Sequence, residues 1–433
     1  MALLLLARAW AQDHGHDLHA VTIDHGLRPE AAAEAAFVAS VCARLGVDHT
    51  TLGWHDGKPE SGLQEAAREM RYRKLEAYAA AIGSDAILVG HTADDQAETV
   101  AMRLARATGQ SHEGAAMTRG AAGMDRQVRL PGGINLFRPL LGLSRRQLRN
   151  YLGDVGQTWI EDPSNQDRSY ERVRVRQALA GEGTRKRRLL QLAEVAGRLR
   201  GLLARDAARL LDDAVQATEG PVLAMDVARA RQAPRAVLVL AIQALIAAVG
   251  GGRWMPPALA VGSIVRQVGK RFRMTLGGAV IESDGQNMRF LRERRNLDRR
   301  YLAPGVVTIW DGRVEIENRS QQHFLLGSPE TKPSRRDFAN RREAVSRHSL
   351  AALGAAPVLS DGRRRYYVLE CFYEEAGRIE TGAPPEGVRV RRVVPAIQHF
   401  CPETDMALHD WAARLDLRTR LRPTPEAGLG ADF

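Results

Sequence analysis

The chain has few cysteines, and they lie far apart. The 433 residues include three, Cys42, Cys371 and Cys401, and no Cys-x-x-Cys pair. A disulfide framework or a cysteine-rich zinc centre needs regularly or closely spaced thiols, so this pattern disfavours both. It is typical of a reducing compartment, and we expect a cytoplasmic protein.

The sequence also lacks a long apolar run and a secretory signal. Its longest apolar stretch, Ala236 to Val249, is interrupted by Gln243, whereas a membrane-spanning helix needs about 20 apolar residues. The opening, Met1-Ala-Leu-Leu-Leu-Leu-Ala, has no basic segment of the kind that begins a signal peptide. We therefore expect no membrane partner, and a buried helix over 236–249.

What the sequence has in excess is positive charge. Lys and Arg number 62 against 51 Asp and Glu, which gives a net charge of +11 and a pI of about 10.0. Because cationic side chains that neutralise phosphates release condensed counterions, this balance favours a nucleic-acid partner. A genome that favours Arg codons over Lys codons is the alternative explanation. The hydrophobic fraction of 44% is that of a globular protein.

Strand and helix patterns alternate over the first hundred residues. The β-branched segment His19–Asp24 predicts a strand, and apolar residues at helical spacing predict a helix over Ala31–Leu45. A strand over 50–54, a helix over 64–82, a buried strand over 86–90 and a helix over 93–105 continue the series. This order predicts an α/β fold with a Rossmann-like parallel sheet, whose ligands lie at the carboxyl ends of the strands.

The rest of the chain changes character twice. Gly181–Arg188 is interpreted as a linker, and helical patterns dominate from about Leu189 to Gly250. Short strand-like pieces follow, such as Val306–Trp310 and Tyr366–Leu369. We expect an α/β domain over 1–182, a mainly helical domain over 183–295 and a small α+β region over 296–433 with a disordered tail.

The densest group of polar residues follows the strand predicted over 86–90. It reads His91-Thr92-Ala93-Asp94-Asp95-Gln96-Ala97-Glu98-Thr99. Asp95 and Glu98 are three apart, so their carboxylates share one helix face and could hold a cationic amine or accept its proton. Helix capping by Thr92, with acids favouring the helix dipole, is the structural alternative. Capping explains one acid better than three acids and a histidine.

Basic residues supply three further candidates. Arg68 and Arg71 share a helix face and could bind phosphate oxygens, although a solvated basic face would look the same. The turn former Asp162-Pro163-Ser164-Asn165 precedes Arg172, Arg174 and Arg176, which could clamp a carboxylate or phosphate. Asp24-His25-Gly26-Leu27-Arg28 follows the first predicted strand, where nucleotides bind in such folds.

Taken in order, these segments resemble the tRNA(Ile)-lysidine synthetase family of PP-loop ATP pyrophosphatases. The matching motifs are Val21–Arg28, Gln64–Tyr72, His91–Thr99, Phe137–Leu141, and Trp159–Asn165 with Arg172 and Arg176. Their shared order and spacing are more specific than any one motif. The resemblance is dense over 1–176 and weak beyond about residue 300.

The resemblance implies an ATP-dependent ligase that joins L-lysine to the wobble cytidine of tRNA(Ile) through an adenylated tRNA intermediate, with ATP and Mg²⁺ required. It also implies that 1–182 is the catalytic domain, 183–295 a substrate-binding domain and 296–433 a tRNA-binding region. Carried over by motif, Asp95, Arg68 and His91 would be catalytic. Asp24, His25 and Arg71 would bind ATP, and Asp95, Glu98, Arg172 and Arg176 would bind lysine. No protein metal site is expected. The oligomeric state stays open, with a homodimer as one candidate.

One family feature is missing from the sequence. The Ser-Gly-Gly-x-Asp-Ser loop that binds pyrophosphate is absent, and Ala2–Trp10 has the pattern of the helix that follows it. We therefore expect the first strand and the phosphate loop to be lacking from the chain as given. Two alternatives stay open: a noncatalytic tRNA-binding pseudoenzyme, and another PP-loop tRNA-modifying enzyme, although scattered cysteines disfavour the common thiolases.

Overall fold

The computed structural model describes most of the chain up to residue 418. The described residues exclude 27–29, 55–56, 58, 60, 108–119, 162–166, 218–220, 331–346, 368–371, 376–377, 382–383, 399–400 and 419–433. Two compact units are formed, one from Met1–Gln110 with Arg119–Gly197 and one from Ser111–Thr118 with Arg198–Phe433. The three-domain division expected from the sequence stays a proposal.

Helices occur in both units. They are α1 (Ala2–His14), α2 (Ala31–Leu45), α3 (Leu63–Ala81), α4 (Ala93–Ala107), α5 (Arg145–Asp154), α6 (Glu171–Ala178), α7 (Gly183–Ala214), α8 (Val227–Gln232), α9 (Arg235–Gly250), α10 (Ala258–Val265), α11 (Arg347–Leu353), α12 (Pro395–Gln398) and α13 (Met406–Arg418). The helices predicted over 31–45, 64–82 and 93–105 are confirmed to within two residues.

Parallel strands characterise the first unit. β1 (His19–Asp24) pairs in parallel with β2 (Asp48–Gly53), and α2 connects them. β3 (Ala86–Leu88) runs parallel to β5 (Asn135–Phe137), which also pairs antiparallel with β4 (Gln127–Arg129). The predicted α/β fold with parallel strands is confirmed. The strand expected to be buried over 86–90 is shorter than predicted, and only its central residue, Ile87, is buried.

The second unit is built around antiparallel sheets. One has the order β6 (Val215–Ala217), β7 (Leu223–Asp226), β10 (Asn287–Arg292), β9 (Ala279–Asp284) and β8 (Arg271–Leu276). A second sheet is formed by β11 (Arg300–Leu302), β14 (Phe324–Gly327), β15 (Val358–Ser360), β16 (Arg364–Tyr367), β17 (Phe372–Glu375) and β18 (Arg378–Thr381). The third comprises β12 (Val307–Trp310), β13 (Val314–Asn318) and β19 (Val388–Arg392).

One sequence expectation about this part of the chain was wrong, and one was incomplete. Helices make up most of the segment 183–295, but β6 to β10 also lie within it; β8 alternates polar and apolar residues, which is a strand pattern. Gly181–Arg188 is not a linker from Gly183 onward, because α7 begins there. Lys and Arg are good helix formers, and the amide of Lys186 donates to the carbonyl of Glu182.

Helix α9 is the buried centre of the second unit. Every residue from Val237 to Gly250 is buried. The side-chain Nε2 of Gln243 donates to the backbone carbonyl of Pro256 at 2.6 Å. A helix that is apolar on all sides must be covered on all sides, so the buried helix predicted over 236–249 is confirmed. Among the described residues, no helix is long and apolar enough to cross a membrane.

A buried ion cluster centres on Asp311, between β12 and β13. Its carboxylate accepts from Arg292 Nε and Nη2 at 2.8 and 2.7 Å, and from Arg313 Nε at 2.6 Å. Burial lowers the pKa of Arg313 to about 10, and the charge of Asp311 opposes that effect. Gly251 lies against this turn so closely that a Cβ would sit 2.0 Å from the Asp311 carbonyl oxygen. One carboxylate therefore pairs with two buried guanidiniums.

We predict that Asp311→Asn lowers the free energy of unfolding by about 3–5 kcal/mol, because both arginines stay buried without their countercharge. Asn keeps the side-chain shape and tolerates the positive φ of 50° at this position. The matched control is Glu315→Gln, which removes the exposed pair with Arg391 and should cost about 1 kcal/mol or less. Urea unfolding followed by tryptophan fluorescence measures both. Equal small losses would show that the cluster is not a buried ion pair.

Candidate active site

Helix α4 begins with a reciprocal cap between Thr92 and Asp95. Thr92 Oγ1 accepts from the Asp95 amide at 3.3 Å, while Asp95 Oδ2 accepts from the Thr92 amide at 2.8 Å and from Thr92 Oγ1 at 2.6 Å. The capping role considered from the sequence therefore accounts for one oxygen of Asp95. Its other oxygen, Oδ1, is left for partners outside the helix.

Three arginines bind the carboxylates of Asp95 and Glu98. Arg145 donates to Asp95 Oδ1 at 2.5 Å and to Glu98 Oε1 at 2.8 Å. Arg172 donates to Asp95 Oδ1 and to Glu98 Oε2, each at 2.9 Å, and Arg176 donates to Glu98 Oε1 at 2.9 Å. The structure thus brings together four residues that the motifs associate with lysine: Asp95, Glu98, Arg172 and Arg176.

Two cations of this cluster were missed by the sequence reasoning. One is Arg145; the other is Lys186, whose ammonium lies 2.8 Å from Asp94 Oδ1. Asp94 Oδ2 accepts from the Arg145 backbone amide, also at 2.8 Å. The signal for Arg145 was present, because Ser144 and Gln147 form a capping box that starts α5 and places Arg145 in its first turn. Nothing in the sequence indicated the long-range pair of Lys186.

Burial and charge oppose one another in the acidic cluster. The Glu98 side chain is 2% exposed, and burial alone would raise the pKa values of Asp95 and Glu98. Hydrogen bonds and the charge of Arg145, together with those of its neighbours, outweigh burial and hold both pKa values below their usual range. The pKa of Asp94 is lowered in the same way by Lys186 and Arg145. All three acids are therefore carboxylates near neutral pH.

His91 lies at the same strand end in a neutral form. Burial, followed by the positive charge of Arg138, lowers its pKa to about 4; Asp95 opposes this effect. Arg68 and Arg172 are also close enough to lower the pKa. Its buried Nδ1 has no hydrogen-bond partner among the described residues. A neutral imidazole with one open nitrogen can contact a polar ligand without introducing charge.

The residues predicted for the nucleotide lie at the ends of β1 and along α3. Arg71 Nη2 is 3.0 Å from His25 Nε2, so the structure brings these two together. Asp24 Oδ1 accepts from the Gly26 amide at 2.7 Å, which shapes the loop after β1. The Arg68 guanidinium lies over the ring of Tyr72, 4.9 Å from its centroid.

Some predicted residues cannot be placed. Leu27 and Arg28, and the turn Asp162-Pro163-Ser164-Asn165, lie outside the described residues. Within the described part of the chain there is no group of three or more His, Cys, Asp or Glu side chains that could hold a metal ion. The carboxylates at the start of α4 are already paired with cations.

Comparisons with known proteins agree on one family. Residues 1–182 match the PP-loop domain family. Curated tRNA(Ile)-lysidine synthases are similar over much more of the chain: that of Brucella anthropi is 34% identical over 403 residues, which cover 90% of this chain and 85% of the relative. That of Rhizobium meliloti is 38% identical over 328 residues, with 73% and 70% covered, and that of Brucella ovis is 36% identical over 410 residues, with 90% and 86% covered.

A solved structure gives a more distant likeness. The U34-tRNA thiolase of Methanococcus maripaludis, with its [4Fe-4S] cluster, is 14% identical, with a TM-score of 0.37 over 45% of this chain and 68% of that one. This likeness is too remote to carry an argument. The identity of more than 30% to curated relatives, spread over most of their length, is decisive: the chain belongs to the tRNA(Ile)-lysidine synthase family.

Proposed function

We propose that the protein ligates L-lysine to C2 of the wobble cytidine in a tRNA(Ile) with a CAU anticodon. ATP first adenylates the C2 oxygen with release of pyrophosphate, and the lysine side-chain amine then displaces AMP to give lysidine. The observation that carries this proposal is the convergence of Asp95, Glu98, Arg172 and Arg176 at one strand end, in a chain whose curated relatives are tRNA(Ile)-lysidine synthases. Those relatives do not favour the pseudoenzyme alternative.

The nucleotide is proposed to lie over the carboxyl ends of the first strands. The match to a PP-loop domain supports the use of ATP, and Asp24 and His25 lie at the end of β1, where His25 is within hydrogen-bond distance of Arg71. Arg68 would stabilise negative charge that develops on phosphate during adenylation. Mg²⁺ would arrive with the triphosphate as part of the substrate, held mainly by phosphate oxygens and water.

Free lysine carries a carboxylate and an ammonium. The cluster that is proposed to bind it likewise contains both negative and positive side chains. Because Asp95 and Glu98 are saturated by arginines, a lysine ammonium can reach them only if a guanidinium moves away. The lysine carboxylate would draw off Arg172 or Arg176, which form bidentate pairs readily, while the ammonium takes the vacated place. The low pKa of Asp95 makes it a better binder than a base.

The tRNA is proposed to bind through its phosphates and through the splayed cytidine. Neutral His91 would contact the adenylated base, because single-stranded anticodon bases are recognised along their polar edges. Exposed arginines of the second unit, such as Arg363 and Arg364 at the start of β16, would bind the tRNA backbone. A cytoplasmic location follows from this substrate, and a homodimer is part of the proposal.

The first prediction from the proposed function separates the two steps of the reaction, tested in a protein that carries the family's phosphate loop. Asp95→Asn should still form adenylated tRNA but slow lysine transfer by about 10²–10⁴-fold, because an amide does not pair with an ammonium. Arg68→Ala should instead slow adenylation. Single-turnover assays with labelled ATP and labelled lysine report the two steps.

The matched control for that experiment is Asp13→Asn, which removes an exposed carboxylate of α1 that lies outside the acidic cluster. It should retain both steps. If Asp95→Asn lost both steps equally, Asp95 would serve ATP or hold the site together, and its assignment to lysine would be wrong.

The second prediction concerns acid stability. The folded pKa of His91 is about 4 against an ordinary value of 6.5, so the unfolded chain binds this proton first. The free energy of unfolding should therefore fall as pH drops through that range, by at most about 3 kcal/mol from this group. His91→Asn should remove this part of the slope, whereas His323→Asn at an exposed position should leave it. Identical slopes in urea titrations of all three proteins would show that His91 is protonated normally.

The third prediction concerns tRNA affinity. If the basic second unit binds phosphates, log K should fall linearly with log salt, by roughly 0.7 to 0.9 per phosphate neutralised. Changing Arg363, Arg364 and Arg365 to Glu should weaken binding of different tRNAs alike and flatten that slope. Arg44→Glu, at the exposed end of α2, is the control. Filter binding that is insensitive to salt would refute the electrostatic part of the proposal.

A further inference from the structure

The carboxyl-terminal half of helix α3 is joined to the β1–β2 strand pair by three polar side chains. The Tyr78 hydroxyl lies 2.9 Å from His19 Nε2 and 2.8 Å from Thr50 Oγ1. His19 Nε2 and Thr50 Oγ1 are themselves 3.0 Å apart, so the three groups form a closed triangle. The rings of His19 and Tyr78 also pack at a tilt, with their centroids 5.3 Å apart. We call these three residues the α3 anchor.

Apolar packing alone would hold this half of the helix weakly. The amino-terminal half of α3 packs against Trp54 through Ala67 and Met70. Beyond Tyr72, Ala79 is the one residue of α3 that is buried. Because apolar contact is non-directional whereas hydrogen bonds are directional, the rotation of this half about the helix axis depends on its polar contacts.

A second polar contact is made on another side of α3. Glu76 Oε1 accepts from the Gly132 amide at 2.6 Å, and at 100° per residue Glu76 lies about 160° from Tyr78 around the helix. A helix held by one hydrogen bond can still turn about that contact. With the α3 anchor on nearly the opposite side, rotation in either direction would stretch one of the two contacts.

The α3 anchor shares a helix face with a residue proposed for the nucleotide. Tyr78 and Arg71 are seven residues apart, which puts them two turns apart and within about 20° of one another. Arg71 Nη2 is 3.0 Å from His25 Nε2, just after the end of β1. Tyr78 contacts His19, at the start of β1. Helix α3 therefore meets both ends of this strand.

A small rotation of α3 would be enough to misplace its guanidiniums. A side-chain tip lies about 6 Å from the helix axis, so a rotation of about 10° moves it by about 1 Å. A displacement of that size can cost about 10²-fold in rate when the group positions a substrate. Arg68 and Arg71 are both on this helix and would move with it.

We propose that Tyr78 is a positioning residue that, with His19 and Thr50, fixes the rotation of α3 and so presents Arg68 and Arg71 to ATP. This role rests on the proposed function, in which both arginines serve the nucleotide. The hydroxyl of Tyr78 is the group that matters, because it alone joins the helix to both strands.

The first test deletes that hydroxyl and measures hydrogen exchange in the full chain. Tyr78→Phe should speed exchange of the α3 amides beyond residue 74 about fivefold or more, because the hydrogen bonds that hold this half are lost. The matched control is Thr22→Val. Its hydroxyl lies 2.9 Å from His49 Nε2 on the same strand pair, but side-chain alternation puts it on the face opposite His19, so α3 should exchange normally. Unchanged exchange of α3 in Tyr78→Phe would overturn the proposal.

The second test uses the protein that carries the phosphate loop and separates positioning from loss of folded protein. Tyr78→Phe should raise the KM for ATP about five- to tenfold and leave the KM for lysine unchanged. Partial unfolding would instead lower the rate and leave both KM values. His19→Gln should behave like the unchanged protein, because an amide can bond both hydroxyls, whereas His19→Leu should behave like Tyr78→Phe.

Two kinetic results would contradict this role: a normal KM for ATP in Tyr78→Phe, or equal changes in the KM values for ATP and lysine. If the unchanged protein with its phosphate loop formed no adenylated tRNA, the proposed function would be refuted, and the anchor's role toward ATP with it. That outcome is distinguishable from failure of the anchor itself, which the exchange of the α3 amides reports without any reaction.

Discussion

The buried carboxylate of Glu98 is the constraint on which the arrangement of the first unit depends. A carboxylate that is 2% exposed is stable as an ion only if cations and hydrogen bonds replace its lost water. Glu98 obtains them from Arg145 on α5 and from Arg172 and Arg176 on α6. One side chain on α4 therefore ties together two helices that are 47 to 78 residues away in the chain, and any change that neutralises it leaves several guanidiniums without a countercharge.

The proposed function requires a fully paired cluster to accept a ligand, and this arrangement is compatible with it. Arg145 lies in the first turn of α5, which is capped by Ser144. Its backbone amide donates to Asp94 Oδ2 and so helps to hold it in place. Arg172 has a side chain that is 39% exposed, so its ion pairs are screened and cost less to open. A zwitterion that brings a carboxylate and an ammonium together keeps the charge balance of the cluster throughout such an exchange. Neither a simple amine nor a simple acid can do so.

Sequence patterns predicted the local elements well and the long-range pairings poorly. The strand His19–Asp24 and the helix Ala31–Leu45 were placed correctly because their apolar spacing is set by local geometry. The polar motif around Asp95 contains the carboxylates on which the arginines converge. Lys186 was assigned to a linker, because a run of basic residues beside glycines has no local signal for the carboxylate that it meets. The strands within 183–295 were missed because each is only three to six residues long.

The cations that pair with the acidic cluster are of two chemical kinds, guanidiniums and an ammonium. Each planar guanidinium of Arg145 and Arg172 spans two carboxylates, which fixes the separation of Asp95 and Glu98. Lys186 is a point charge on a flexible stem and meets Asp94 alone. Replacing an arginine here by lysine would keep the charge but lose one of its two contacts. The geometry between Asp95 and Glu98 is therefore set by guanidiniums, and the proposed sharing of an incoming ammonium by both acids depends on the spacing that they maintain.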